Sequence, residues 1–107
     1  MDNKERVKYF YETIVSENRL DELAQYVADD CTQRIGEKVV CIGLAGMKQH
    51  LSAVKETYPD YIMKIIRQYA EGDYVISEFI MRGTHKGKFA GITPTNQVLE
   101  ITGVDID

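Results

Sequence analysis

Apolar residues along the chain recur first at helical and then at strand spacing, and the change falls at Pro59. Val7, Phe10, Tyr11 and Ile14 mark one helical face in a stretch without glycine or proline, with Asp2 or Asn3 placed as its cap, which predicts a helix over residues 3–16. Asn18 is read as the cap of a second helix. Asp21 and Glu22 suit the dipole of its first turn, Leu20, Leu23, Ala24 and Val27 form its stripe, and it ends near Asp29 and Asp30. From Cys31 to Ile42 apolar residues flank a turn at Gly36-Glu37-Lys38, a pattern open between short strands and loop. Leu44, Met47, Leu51, Val54 and Tyr58 share a third helical stripe stopped by Pro59, which predicts a helix over 44–57. Beyond it the period drops to two. Residues 61–70 and 73–85 read as strands joined at Glu71-Gly72, and residues 98–107 as a further strand. Helices followed by strands is the order of an α+β fold, in which helices cover one face of a mainly antiparallel sheet.

Between the last two strands lies Gly83 to Asn96, where three glycines and Pro94 interrupt otherwise strand-like sequence. This is a long shaped connection rather than a tight hairpin, and Asn96 stands where a positive φ is expected. Its wording is specific. Gly83-Thr84-His85, Gly87, Gly91 and Pro94-Thr95 follow a strand opening Glu71-Gly72-Asp73-Tyr74-Val75 and precede Ile101-Thr102-Gly103-Val104-Asp105, with Tyr58-Pro59-Asp60, Gly43 and Met47 upstream. This resembles the SnoaL-like polyketide cyclase family, apart from Asn96, where the family usually has glycine. The resemblance implies a cone-like α+β barrel of the nuclear-transport-factor-like superfamily, three N-terminal helices on a curved sheet, with ligands bound inside.

The 107 residues suit one domain, read as 1–107, large enough for a core without staples. With 17 acidic residues against 13 scattered basic ones, the chain has no clustered positive charge for a nucleic-acid groove. No apolar run reaches membrane-spanning length and the N-terminus has no signal-peptide pattern, so the reading is a cytoplasmic protein without nucleic-acid or membrane partners. Two cysteines and two histidines, ten and thirty-five positions apart, assemble no zinc spacing, and neither a phosphate-binding loop nor a dinucleotide fingerprint is present. No metal is therefore expected, and the chemistry is read as free of cofactors.

Strand alternation puts Leu99, Ile101, Gly103, Asp105 and Asp107 on one face, and either face could be the inner one. If this face lines a cavity, Asp105 is a carboxylate at the rim of an apolar pocket and the candidate catalytic acid or base; Asp107 would raise the pKa of one of the pair. The other reading has both as solvated charges at a strand end. Tyr11 and Tyr26 either present hydroxyls to a ligand or simply pack. His50 lies at the edge of the third helical stripe, and His85 either touches a ligand or holds its loop. The resemblance adds Gln33 as a pocket-lining amide.

The resemblance also implies cofactor-free ring closure of a polyketide-like ester by intramolecular aldol addition, or related lyase or isomerase chemistry. Two other readings stand beside it: a non-catalytic module for a small apolar ligand, and a structural homodimer. A homodimer is expected on separate grounds. Val75, Phe79 and Met81 on one side of the second strand, and Tyr74, Ile76 and Ile80 on the other, leave an apolar face for a partner's sheet. In the family the strand matching 98–107 leads into a further strand bearing the acid-base carboxylate. With the sequence stopping at Asp107, the expectation is a fold lacking that last strand, in which a ligand is bound with little turnover and Asp105 must substitute.

Overall fold

The computed structural model describes residues 2–87 and 92–107. Asp2 caps the first helix by accepting from the Glu5 amide at 2.8 Å. That helix runs as α1, Asn3–Tyr9, and widens into a π-helical segment, Phe10–Val15, which buries Tyr11, Ile14 and Val15. Two bonds spanning five residues mark the widening, from the Ser16 amide to Tyr11 and from the Arg19 amide to Ile14. The second helix is shorter than its stripe predicts, a 3-10 helix over Leu20–Gln25. Asn18 does not cap it. Its φ of +54° is left-handed, so it reverses the chain between the two helical segments, and Arg19 precedes the 3-10 helix without any side-chain cap.

The ambiguous stretch after Cys31 is a hairpin. β1 (Thr32–Ile35) and β2 (Lys38–Ile42) pair antiparallel through a two-residue turn at Gly36 and Glu37, the φ of +63° at Gly36 being one a side chain would resist. Helix α2 follows over Gly43–Thr57. The main sheet is the antiparallel meander β3 (Ile62–Glu71), β4 (Tyr74–Thr84) and β5 (Val98–Ile106), in that order. Ile66 is extra in the β3–β4 register, a bulge in β3.

In β4 Val75, Ser77 and Phe79 are buried, so this face meets the helices, and register places Asp105, Gly103 and Ile101 of β5 on the same side. The core joins Tyr11, Ile14, Val15, Leu23, Leu51, Met63, Ile65 and Phe79. The Phe79 ring lies directly on Gly103, where a Cβ would come within 2.6 Å of it, so only glycine fits. Among the described residues no helix is long and apolar enough to cross a membrane.

The two outer strands are treated differently. Along β3 the first helical run supplies partners for the backbone: Ser16 Oγ accepts from the Met63 amide at 2.8 Å and a Glu12 carboxylate oxygen from the Ile65 amide at 2.9 Å. Nothing comparable covers β5 among the described residues, and Val104 and Ile106 on its outer face are 60% and 69% exposed.

Candidate functional site

The sheet face turned toward the helices carries one concentration of ionisable groups, where the end of β5 meets the first helical run. Asp107 is anchored by reciprocal backbone bonds with Val75, both 2.8 Å. The Tyr11 hydroxyl, 96 residues away, donates into its carboxylate, lying 3.0 Å from one oxygen and 2.9 Å from the other. Asp105 stands two residues back on the same face, opposite fully buried Ser77. Its charge acts on three neighbours, raising the pKa of Tyr11, Tyr61 and Asp107. Tyr11 is pushed well above the ordinary phenol range, chiefly by burial and then by Asp107 and Asp105, so its hydroxyl keeps its proton. Tyr61 is pushed up to about 12 by burial and Asp105. The Tyr61 hydroxyl meets only thioethers among the described residues, Met81 Sδ at 2.9 Å and Met63 Sδ at 3.9 Å, both weak acceptors.

The second acid was the harder one to read from sequence. Asp107 is exposed as a residue, yet its carboxylate points inward onto Tyr11, so the solvated reading does not hold for it. Burial raises its pKa above the ordinary 3.8, the bond from Tyr11 opposes the rise, and Asp105 adds to it. The folded protein therefore holds this proton to higher pH than the unfolded chain does. Stability from this group is fully present below 3.8 and is lost as pH rises through the raised folded value. Asp107→Asn, uncharged at every pH, should flatten the stability curve across that window and gain on wild type toward neutral pH. Urea midpoints at acid and neutral pH check this; parallel curves for the two proteins would contradict it.

Beside Asp107 an open cleft of about 270 Å³ is lined by Asn3, Arg6, Phe10, Tyr26 and Val75, among others. Tyr26 thus borders the acid group from the cleft, stacked on Tyr9 at 5.4 Å with the Arg6 guanidinium 5.9 Å above its ring. The remaining candidates lie elsewhere. Gln33 belongs to the separate β1–β2 sheet, where its Oε1 accepts from Cys41 Sγ at 3.2 Å. His50 lines a second cleft of about 490 Å³ between β2 and α2, with Val40, Cys41, Ile42 and Gly46. His85 holds its connection: its amide donates to Gln97 at 3.0 Å, its carbonyl accepts from Asn96 at 2.9 Å, and Nδ1 lies 3.2 Å from Thr95 Oγ1. Asn96 has the expected positive φ, +56°. Lys88 and Gly91 of this connection lie outside the described residues. Sequence reasoning missed Tyr61; its place immediately before a period-two strand was the available signal.

Comparison with known proteins bears on the fold and the family. The fold matches a candidate polyketide cyclase from Acidithiobacillus ferrooxidans with a TM-score of 0.81 at 22% identity, over 99% of this chain and 80% of that one. TsrD from Streptomyces laurentii matches at 0.82 and 18%, covering 99% and 79%. IdmH, a candidate polyketide cyclase from Streptomyces antibioticus, matches at 0.81 and 18%, covering 99% and 81%. No curated protein is significantly similar in sequence. At such identities the neighbours speak for the fold alone. The SnoaL-like polyketide cyclase family itself matches residues 5–107, nearly the whole sequence, and the chain belongs to that family.

Proposed function

We propose that the protein acts on a small apolar, polyketide-like molecule, closing a ring by cofactor-free intramolecular aldol addition. The observation that carries this reading is the Asp105–Asp107 pair, facing the helices and tied to Tyr11. Asp105 takes a proton from the carbon between two carbonyls. The resulting enolate attacks a second carbonyl, the new carbon–carbon bond forms, and the same proton returns to the alkoxide. No external donor is needed. Tyr61, whose hydroxyl has only thioether partners among the described residues, would donate to the oxygen on which charge develops. Apolar walls such as Met63, Met81 and Ile101 would fold the substrate against these groups.

Tyr11 and Tyr26 are placed as ligand-bordering residues in this reading, whereas Gln33, His50 and His85 would act only if the ligand extended beyond the acid group. Binding without turnover is the second reading, supported by the engagement of both Asp107 oxygens with Tyr11. The protein is further proposed to work in the cytoplasm, in keeping with free Cys31 and Cys41, and as a homodimer whose sheets pack through the outer face bearing Tyr69, Tyr74 and Val104.

Thermal denaturation with a panel of aromatic polyketides tests the binding half. A ligand at 100 times its Kd should stabilise the fold by about 2.7 kcal/mol. If no member of the panel raises the midpoint, the pocket reading fails.

A further inference from the structure

We propose that Phe79 limits the size of the molecule held beside Asp105, and that Gly103 sets this limit with it. The inference rests on the reading that the ligand binds against the inner face of the main sheet. Strand alternation turns Ser77, Phe79 and Met81 of β4 toward the helices, and register sets Asp105, Gly103 and Ile101 of β5 opposite them. Along β4 the inner face is therefore an acid row, an aromatic row and a thioether row, in that order. Successive same-face residues of a strand are roughly 6.8 Å apart, so the ring in the middle row borders the space of both its neighbours. A molecule that meets Asp105 at one end, and at the other the wall of Met63 and Met81 with the Tyr61 hydroxyl, must lie across Phe79.

The ring has little room to turn. It is 6% exposed, with Ile65 opposite it on β3, the Tyr11 ring stacked at 6.5 Å and 24°, and its far edge over β5 at Gly103. A Cβ at position 103 would come within 2.6, 3.1 and 3.3 Å of three ring atoms. The backbone there has no positive φ, so what bars a side chain is the ring and not strain. Two substitutions then move the ring's volume in opposite directions. Phe79→Leu empties the space over Gly103, whereas Gly103→Ala puts a methyl group in it and drives the ring off β5 into the space a ligand would use. Lost packing alone would weaken every ligand's binding in both variants. Only a size limit shifts the preference between small and large ligands one way in the first and the other way in the second.

Titration calorimetry with acetophenone, methyl naphthyl ketone and methyl anthryl ketone reads the limit, as the ratio of affinities along a series that differs only in ring count. Phe79→Leu should raise the affinity for the largest ketone relative to the smallest by roughly tenfold, and Gly103→Ala should lower the same ratio by a similar factor. The double variant, whose alanine methyl occupies the space the ring has left, should return toward the wild-type ratio. If one variant fails to fold, the other still reads the ratio in its own direction. Binding of the ketones by Phe79→Leu alone would also support the proposal, since the wild-type limit then lies below the smallest of them. Wild-type binding with an unchanged ratio in the folded variants overturns this proposal and leaves the ligand-binding reading standing, whereas no binding by any of the proteins overturns both.

Discussion

Asp105→Asn should lower the rate of aldol ring closure by about 10²- to 10⁴-fold, the usual contribution of a positioned acid or base. The substitution keeps the side chain's size and removes only its ability to accept the proton. Ligand binding should therefore survive, and the thermal midpoint reached with a saturating ligand should stay close to that of wild type. The same assay on Asp107→Asn is expected to show a smaller loss, because Asp107 already receives the Tyr11 hydroxyl and acts on the reaction through that neighbour. The comparison is turnover against binding for both variants and wild type. Equal rates for Asp105→Asn and wild type would remove Asp105 from the mechanism, and binding without turnover in all three would establish the module reading instead.

The largest effect on stability should come from Ile14→Ala. Ile14 is fully buried in the π-helical segment, within the cluster that joins the first helical run to β3, β4 and α2. Truncation removes most of a side chain from a site that helices and sheet close on several sides, so collapse around the void is restricted. A loss of about 2–5 kcal/mol is expected, and with a shift of roughly 4–8 °C per kcal/mol the midpoint should fall by more than 8 °C. Differential scanning calorimetry measures it directly. A fall of only one or two degrees would mean that the first helical run contributes little to the core.

Much of the scaffold was legible because its periodicity is strong and uninterrupted. The stripe from Leu44 to Tyr58 and the alternation from Tyr61 onward both became the elements they predict, to within a residue or two. Asn18 misled for a physical reason: asparagine favours both helix caps and left-handed turns, and here it takes the turn, with φ +54°. Neither the π-helical widening nor the bulge at Ile66 alters which residue types appear, so sequence spacing carries no trace of either. The site was half legible. Alternation put Asp105 on a face with Asp107, and buried Ser77 and Phe79 opposite identify that face as the inner one. That Asp107 would meet Tyr11 depends on how the helix docks, which no local pattern encodes.

The contact between Tyr11 and Asp107 has a kinetic consequence as well as a chemical one. β3, β4 and β5 are neighbours in sequence and can zip as a meander, but this bond closes a loop of nearly the whole chain, whose entropy must be surrendered before the contact returns anything. It should therefore form on the native side of the folding barrier. Changes at Tyr11 are then expected to speed unfolding far more than they slow folding, so that the time for which the acid group stays assembled is set by how long the first helical run remains docked.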